Sequence, residues 1–198
     1  MTYKPLSTKI SLFIAIAAVC VLGAVTVAHA GPDLEALDEV ASLKKIYGEG
    51  EAEHSPGLPI DDETLRVYWF WAPDSPCSTR AEPALEEFSK AHDDVEVYVV
   101  HSNADQSAED ARKAADERNF SLPIYRDEDA ALAIAFDVRM TPEAVALDAE
   151  GVIYRGRPVH VGRRGTTSFI DEVARQWRAG ESIDNAYRRP SGCPIARP

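Results

Sequence analysis

The spacing of apolar positions changes several times along the chain, and each change marks an element. Between Asp33 and Gly48, apolar Leu34, Leu37, Val40, Leu43 and Ile46 recur at near-helical spacing, which predicts a helix ended by Gly48. Residues 49–64 are polar and rich in turn formers and read as a linker or wrapping loop. The run "LRVYWFWA" (65–72) is aromatic and β-branched with no polar face, the pattern of a central strand buried on both sides. "SPCSTRAEPALEEFSKAHD" then predicts a helix with Ser75 as N-cap, Pro76 at its first position and Pro83 inside it. A second strand (95–102), a helix capped by Ser107 (107–120), a short strand (122–127) and a short helix capped by Asp127 (127–138) follow. "EAVALD" and "VIYRGR" predict two strands joined by the hairpin turn "AEG". Phe169, Ile170, Val173 and Trp177 form one face of a closing helix (167–180), and residues 181–198 read as an irregular tail.

The order is therefore β-α-β-α-β-α, a β-hairpin and a last helix. Alternation predicts parallel strands and the hairpin adds antiparallel ones, giving an α/β fold: a three-layer α/β/α sandwich with a mixed sheet. No internal repeat is visible.

The N-terminal segment changes the picture of where this domain works. Lys4 and Lys9 precede the apolar run "ISLFIAIAAVCVLGAVTV", and Ala28-His29-Ala30 supplies small residues at the two positions a signal peptidase reads. Residues 1–30 read as a signal peptide and place the protein in the periplasm or outside the cell. The run is also long enough to span a bilayer, so an uncleaved inner-membrane anchor is the alternative. Cleavage after Ala30 leaves 168 residues, enough for one core, and 19 basic against 33 acidic residues, a net charge of −14. That surface repels nucleic acid and anionic lipid. The expected organisation is signal peptide 1–30, N-terminal helix and linker 31–59, core domain 60–180 and C-terminal tail 181–198.

Cys20 leaves with the signal, so Cys77 and Cys193 remain in an oxidising compartment where they can pair. Cys77 lies in the first turn of its helix, where unpaired N–H groups favour a thiolate; Arg80 adds a positive charge and Asp74 opposes it. The thirteen residues from Gly180 to Cys193 can span on the order of 40 Å, so the tail reaches that turn.

Residues 60–197 resemble thioredoxin-like redoxins, a group that includes exported disulfide reductases and peroxiredoxin-like proteins. "VYWFWAPDSPCSTRAEPALEEF" is similar to the strand, reactive turn and kinked helix of that group. "VRMTPEAVALDAEGVIYRGR" is similar to its second signature, with Thr141–Pro142 at the cis-proline position, and "GCPI" resembles the Gly-Cys-x-Ile tail of some exported members. The resemblance implies a thioredoxin fold and thiol-disulfide exchange without a cofactor, acting on protein or small-molecule thiols and disulfides. It implies catalytic roles for Cys77 and Cys193 and substrate contacts at Thr141, Pro142, Trp71 and Ser75, with a cis Thr141–Pro142 bond close to Cys77.

The chemistry departs from the family pattern. Ser75 stands where the attacking cysteine falls and Ser78 where its partner falls, and a serine hydroxyl is not ionised near pH 7. The intramolecular Cys-x-x-Cys cycle is absent. The threonine that peroxiredoxins place three residues before their reactive cysteine is Asp74 or Ala72 here. Cys77 as nucleophile, resolved by Cys193 or an external thiol, is the leading reading. A structural Cys77–Cys193 disulfide, or two inert thiols in a non-catalytic binding module, are the alternatives. Tyr68, Trp69 and Trp71 also fit core packing. The four histidines beyond the signal lack metal-ligand spacing and only one cysteine stands in the turn, so no metal site is expected.

Overall fold

The computed structural model describes residues 43–48, 53–54, 60–61 and 63–198. The signal segment and most of residues 31–59 lie outside them.

Twelve strands, four α-helices and one 3-10 turn (Glu128–Ala130) occur among the described residues: β1 (Leu43–Tyr47), β2 (Glu53–His54), β3 (Leu65–Phe70), α1 (Pro76–Ala91), β4 (Val95–His101), α2 (Ala108–Arg118), β5 (Ile124–Arg126), α3 (Ala131–Ala135), β6 (Met140–Thr141), β7 (Glu143–Asp148), β8 (Gly151–Gly156), β9 (Val159–Gly162), β10 (Gly165–Ser168), α4 (Phe169–Arg178), β11 (Tyr187–Arg188) and β12 (Cys193–Pro194). The main sheet runs β11-β8-β7-β3-β4-β5-β1-β2, with β3, β4 and β5 parallel and β7 antiparallel to β3. This is the mixed sheet of a thioredoxin-like fold.

The absence of a polar face in β3 has a direct explanation. Its side chains alternate between two cores. Leu65, Val67 and Trp69 meet α1, α2 and α4 on one face, while Tyr68 and Phe70 meet α3 on the other. Each face is apolar because each is covered.

Two regions differ from the sequence expectation. Leu43–Tyr47 is a strand, not the end of a helix, and its pairing with β5 is antiparallel. Leu43 and Ile46 enter opposite cores, which suits an odd separation in a strand; on a helix, residues three apart would share a face. The available edge of β5 outweighed the local 3.6 spacing. Residues 33–42 of the expected helix lie outside the described residues.

The tail is likewise ordered. Its β11 runs parallel to β8, and its β12 pairs antiparallel with β6. Two glycines admit it: a Cβ on Gly156 would sit 1.8 Å from the Arg188 carbonyl oxygen, and a Cβ on Gly192 would sit 2.1 Å from the Thr141 carbonyl oxygen. A β9–β10 hairpin, absent from the sequence reading, precedes α4.

Candidate active site at the N-terminus of α1

The turn after β3 is held from both ends. Ser75 caps α1, its Oγ accepting from the Ser78 N–H at 3.1 Å, and Pro76 opens the helix. Ser78 Oγ accepts from the Ala72 N–H at 3.2 Å, so the two serines at the cysteine positions stitch the turn together. Behind it, Trp71 Nε1 donates to Glu82 Oε1 (2.8 Å) and Arg118 bridges Glu82, the Pro73 carbonyl and Thr79 Oγ1. Burial raises the Glu82 carboxyl above its ordinary range, against the lowering effect of Trp71 and Arg118. Trp71 is 1% exposed and stacks on Phe120, so it supports the turn from behind and offers no surface to a substrate, contrary to its expected place in the groove.

The Thr141–Pro142 bond is cis, and this turn faces α1: Ser75 Oγ lies 3.4 Å from the Thr141 carbonyl oxygen. Cys77 and Pro142 line one cavity of about 300 Å³. The structure therefore brings Ser75, Cys77, Thr141 and Pro142 together.

It brings Cys193 to the same place. Strand β12 sets Cys193 opposite Thr141, whose Oγ1 lies 3.5 Å from the Cys193 carbonyl oxygen. Both Cys77 and Cys193 are free thiols and half-buried. Burial is the largest influence on the Cys193 thiol and resists its ionisation. Hydrogen bonds from the Ser75 hydroxyl and from the Cys77 N–H and thiol, with the charge of Arg80, together outweigh it and hold the thiol below its ordinary value of 9.0. A second sulfur, that of Cys193, is thus supplied to the helix N-terminus from 116 residues downstream. The sequence signal for this arrangement was Gly192 before Cys193, because only glycine lets the tail approach Thr141 so closely. Arg80 Nη2 lies 3.4 Å from Cys77 Sγ.

Asp74 is engaged by Gln106 Nε2 at 2.9 Å. Among the described residues, no group of three or more His, Cys, Asp or Glu is arranged to hold a metal ion, and no helix is long and apolar enough to cross a membrane.

Comparison with known proteins gives the same architecture. A family model described as Redoxin matches residues 63–171. An uncharacterised conserved protein from Geobacillus kaustophilus superposes with a TM-score of 0.64 at 18% identity, covering 79% of this chain and 88% of that one. A secreted Mycobacterium tuberculosis disulfide oxidoreductase homologous to E. coli DsbE superposes at 0.52 and 19% identity, covering 73% and 98%. The exposed lipoprotein thioredoxin Etrx1 of Streptococcus pneumoniae superposes at 0.52 and 20% identity, covering 70% and 97%. The search of curated proteins gave no match.

Proposed function

The chain belongs to the redoxin family, and from that premise we propose that it is an exported thiol-disulfide oxidoreductase using Cys77 and Cys193 as its redox pair. The observation that carries this reading is the convergence of the two free thiols on one turn: Cys193 pairs with Thr141, whose carbonyl oxygen lies 3.4 Å from the Oγ of Ser75, the cap of the helix that carries Cys77.

The cycle follows from the positions. The Cys77 thiolate attacks a substrate disulfide, forming a mixed disulfide and expelling one substrate thiolate. The Cys193 thiolate then attacks the Cys77 sulfur and expels the second. The substrate gains two electrons and two protons, and the protein is left with a Cys77–Cys193 bond. The lowered value at Cys193 suits the resolving step, which needs a thiolate at neutral pH. Ser75, at the family's attacking position, supplies a hydrogen bond to sulfur in place of a thiol.

A purely structural pair is the weaker reading. The tail is held without it, through β11, through the Ile195 N–H to the Arg139 carbonyl (2.9 Å) and through the Ala196 N–H to Asn103 Oδ1 (3.0 Å). Thiol counting across a series of glutathione redox buffers decides between them. A Cys77–Cys193 bond that opens and closes within the glutathione range supports the redox cycle, and one that resists reduction throughout that range refutes it.

A further inference from the structure

The tail restricts what can reach Cys77. Strand β12 occupies the edge of β6, so Thr141 already spends its backbone groups on Cys193 and an extended protein chain cannot pair there while the tail is docked. What remains beside Cys77 is the cavity of about 300 Å³, the size of a small-molecule site. Pro142, Ala81, Val159 and Val161 give it an apolar floor, and Arg80, Arg157 and His160 give it a basic wall.

That wall is unusual for this molecule. The chain has a net charge of −12, and nine of the fifteen arginines among the described residues form ion pairs with carboxylates. Arg80 and Arg157 have no carboxylate partner among the described residues. Neither do Arg163 and Arg164, on the turn that follows the β9 wall. Arg157 instead donates from Nη1 to His160 Nδ1 and from Nη2 to the Arg189 carbonyl oxygen, each at a long 3.4 Å, so its charge is not neutralised. Guanidinium groups without a carboxylate partner around a concave apolar surface attract an anion and bind carboxylate oxygens through paired N–H donors.

We propose that this cavity is the substrate site for a small disulfide or thiol carrying carboxylate groups, which Arg157 and Arg80 bind while its sulfur meets Cys77. The inference rests on the thiol-disulfide reading of Cys77 and names the substrate class for it. In the first step the Cys77 thiolate forms a bond to one sulfur of the bound disulfide. The substrate S–S bond breaks, and the other half leaves as a carboxylate-bearing thiolate that takes a proton from solvent.

The test compares two aromatic disulfides, dianionic dithiobis(nitrobenzoate) and neutral dithiodipyridine, on the reduced full chain carrying Cys193→Ser, so that the adduct at Cys77 persists and is located by peptide mass. The expected ratio of anionic to neutral rates at Cys77 is about fivefold above that of the same chain unfolded in urea, the size of a partly exposed ion pair. Arg157→Gln lowers the ratio toward the unfolded value and Arg157→Lys restores most of it. Arg175→Gln, the same charge change on α4 far along the chain, leaves the ratio in place. A ratio equal to that of the unfolded chain, or one indifferent to Arg157→Gln, overturns the anionic site while leaving Cys77 reactive. No adduct at Cys77 with either probe overturns the redox reading and this inference with it.

Discussion

Cys193 stands directly across from Thr141 in the antiparallel pair formed by β12 and β6, so the last segment of the chain is seated on the cis-proline turn. The proposed redox pair is thereby split between a helix start and a tail, not contained in one turn. Its reactivity depends on how firmly that tail is held.

The Cys193 thiol is expected to react with iodoacetamide at pH values clearly below its ordinary 9.0, because the Ser75 hydroxyl and the Cys77 N–H stabilise the thiolate. Ser75→Ala removes one of these donors and moves the midpoint of the rate profile upward. The same change deletes the α1 cap and costs about 1 kcal/mol in urea denaturation. An unmoved midpoint separates the cap from the chemistry and refutes the sulfur contact.

Gly192→Ala tests the seating of the tail. The added Cβ meets the Thr141 carbonyl oxygen, so β12 must lift away. Formation of the Cys77–Cys193 bond in a glutathione redox buffer is expected to slow at least about tenfold, a displacement of about 1.4 kcal/mol. The main sheet keeps its far-ultraviolet circular dichroism, since β12 is not part of it.

His101 predicts a pH dependence of stability. It is fully buried, and its value is pushed down to about 4, first by burial and then by the charge of Arg126. The unfolded chain binds this proton near 6.5, so stability is complete above pH 6.5 and declines as pH falls toward 4, by up to about 3 kcal/mol. Urea midpoints of native protein and His101→Phe, measured between pH 7 and pH 4.5, should converge or cross as pH falls, the variant lacking this part of the slope.

Arg118→Met leaves the Glu82 carboxylate and the Pro73 carbonyl without their shared donor. A loss of about 2 kcal/mol or more is expected in urea denaturation, since one member of a partly buried charge pair is left alone. The rate of adduct formation at Cys77 should fall as well, because the turn that carries it loses its rear support.

Export is tested by mass. The charged start, the apolar run and Ala28-His29-Ala30 predict a mature protein beginning at Gly31. A full-length species recovered from the membrane establishes the anchored form instead.

The sequence by itself determined the order of the main elements from β3 to α3, both serine caps, the hairpin β7–β8 and the closing helix α4, but not β6 or the β9–β10 hairpin. These rest on local physics: side-chain period, capping hydroxyls and turn residues act within a few positions of the chain. It also marked Ser75, Cys77, Thr141 and Pro142 as one site, through a family resemblance that spacing alone does not supply. Only the tertiary structure decided the rest. Leu43–Tyr47 became a strand because the edge of β5 offered backbone partners that a short helix could not match. The tail became ordered because Gly156 admits the backbone of Arg188 and Gly192 lets the tail lie against Thr141, contacts between residues 32 and 51 positions apart. Trp71 turned inward because Glu82 and Arg118, each from a different helix, met its indole. The ionisation of Cys193 belongs to this second class: nothing near residue 193 in the sequence lowers a thiol's value, and the groups that do so, Ser75, Cys77 and Arg80, stand more than a hundred positions earlier in the chain.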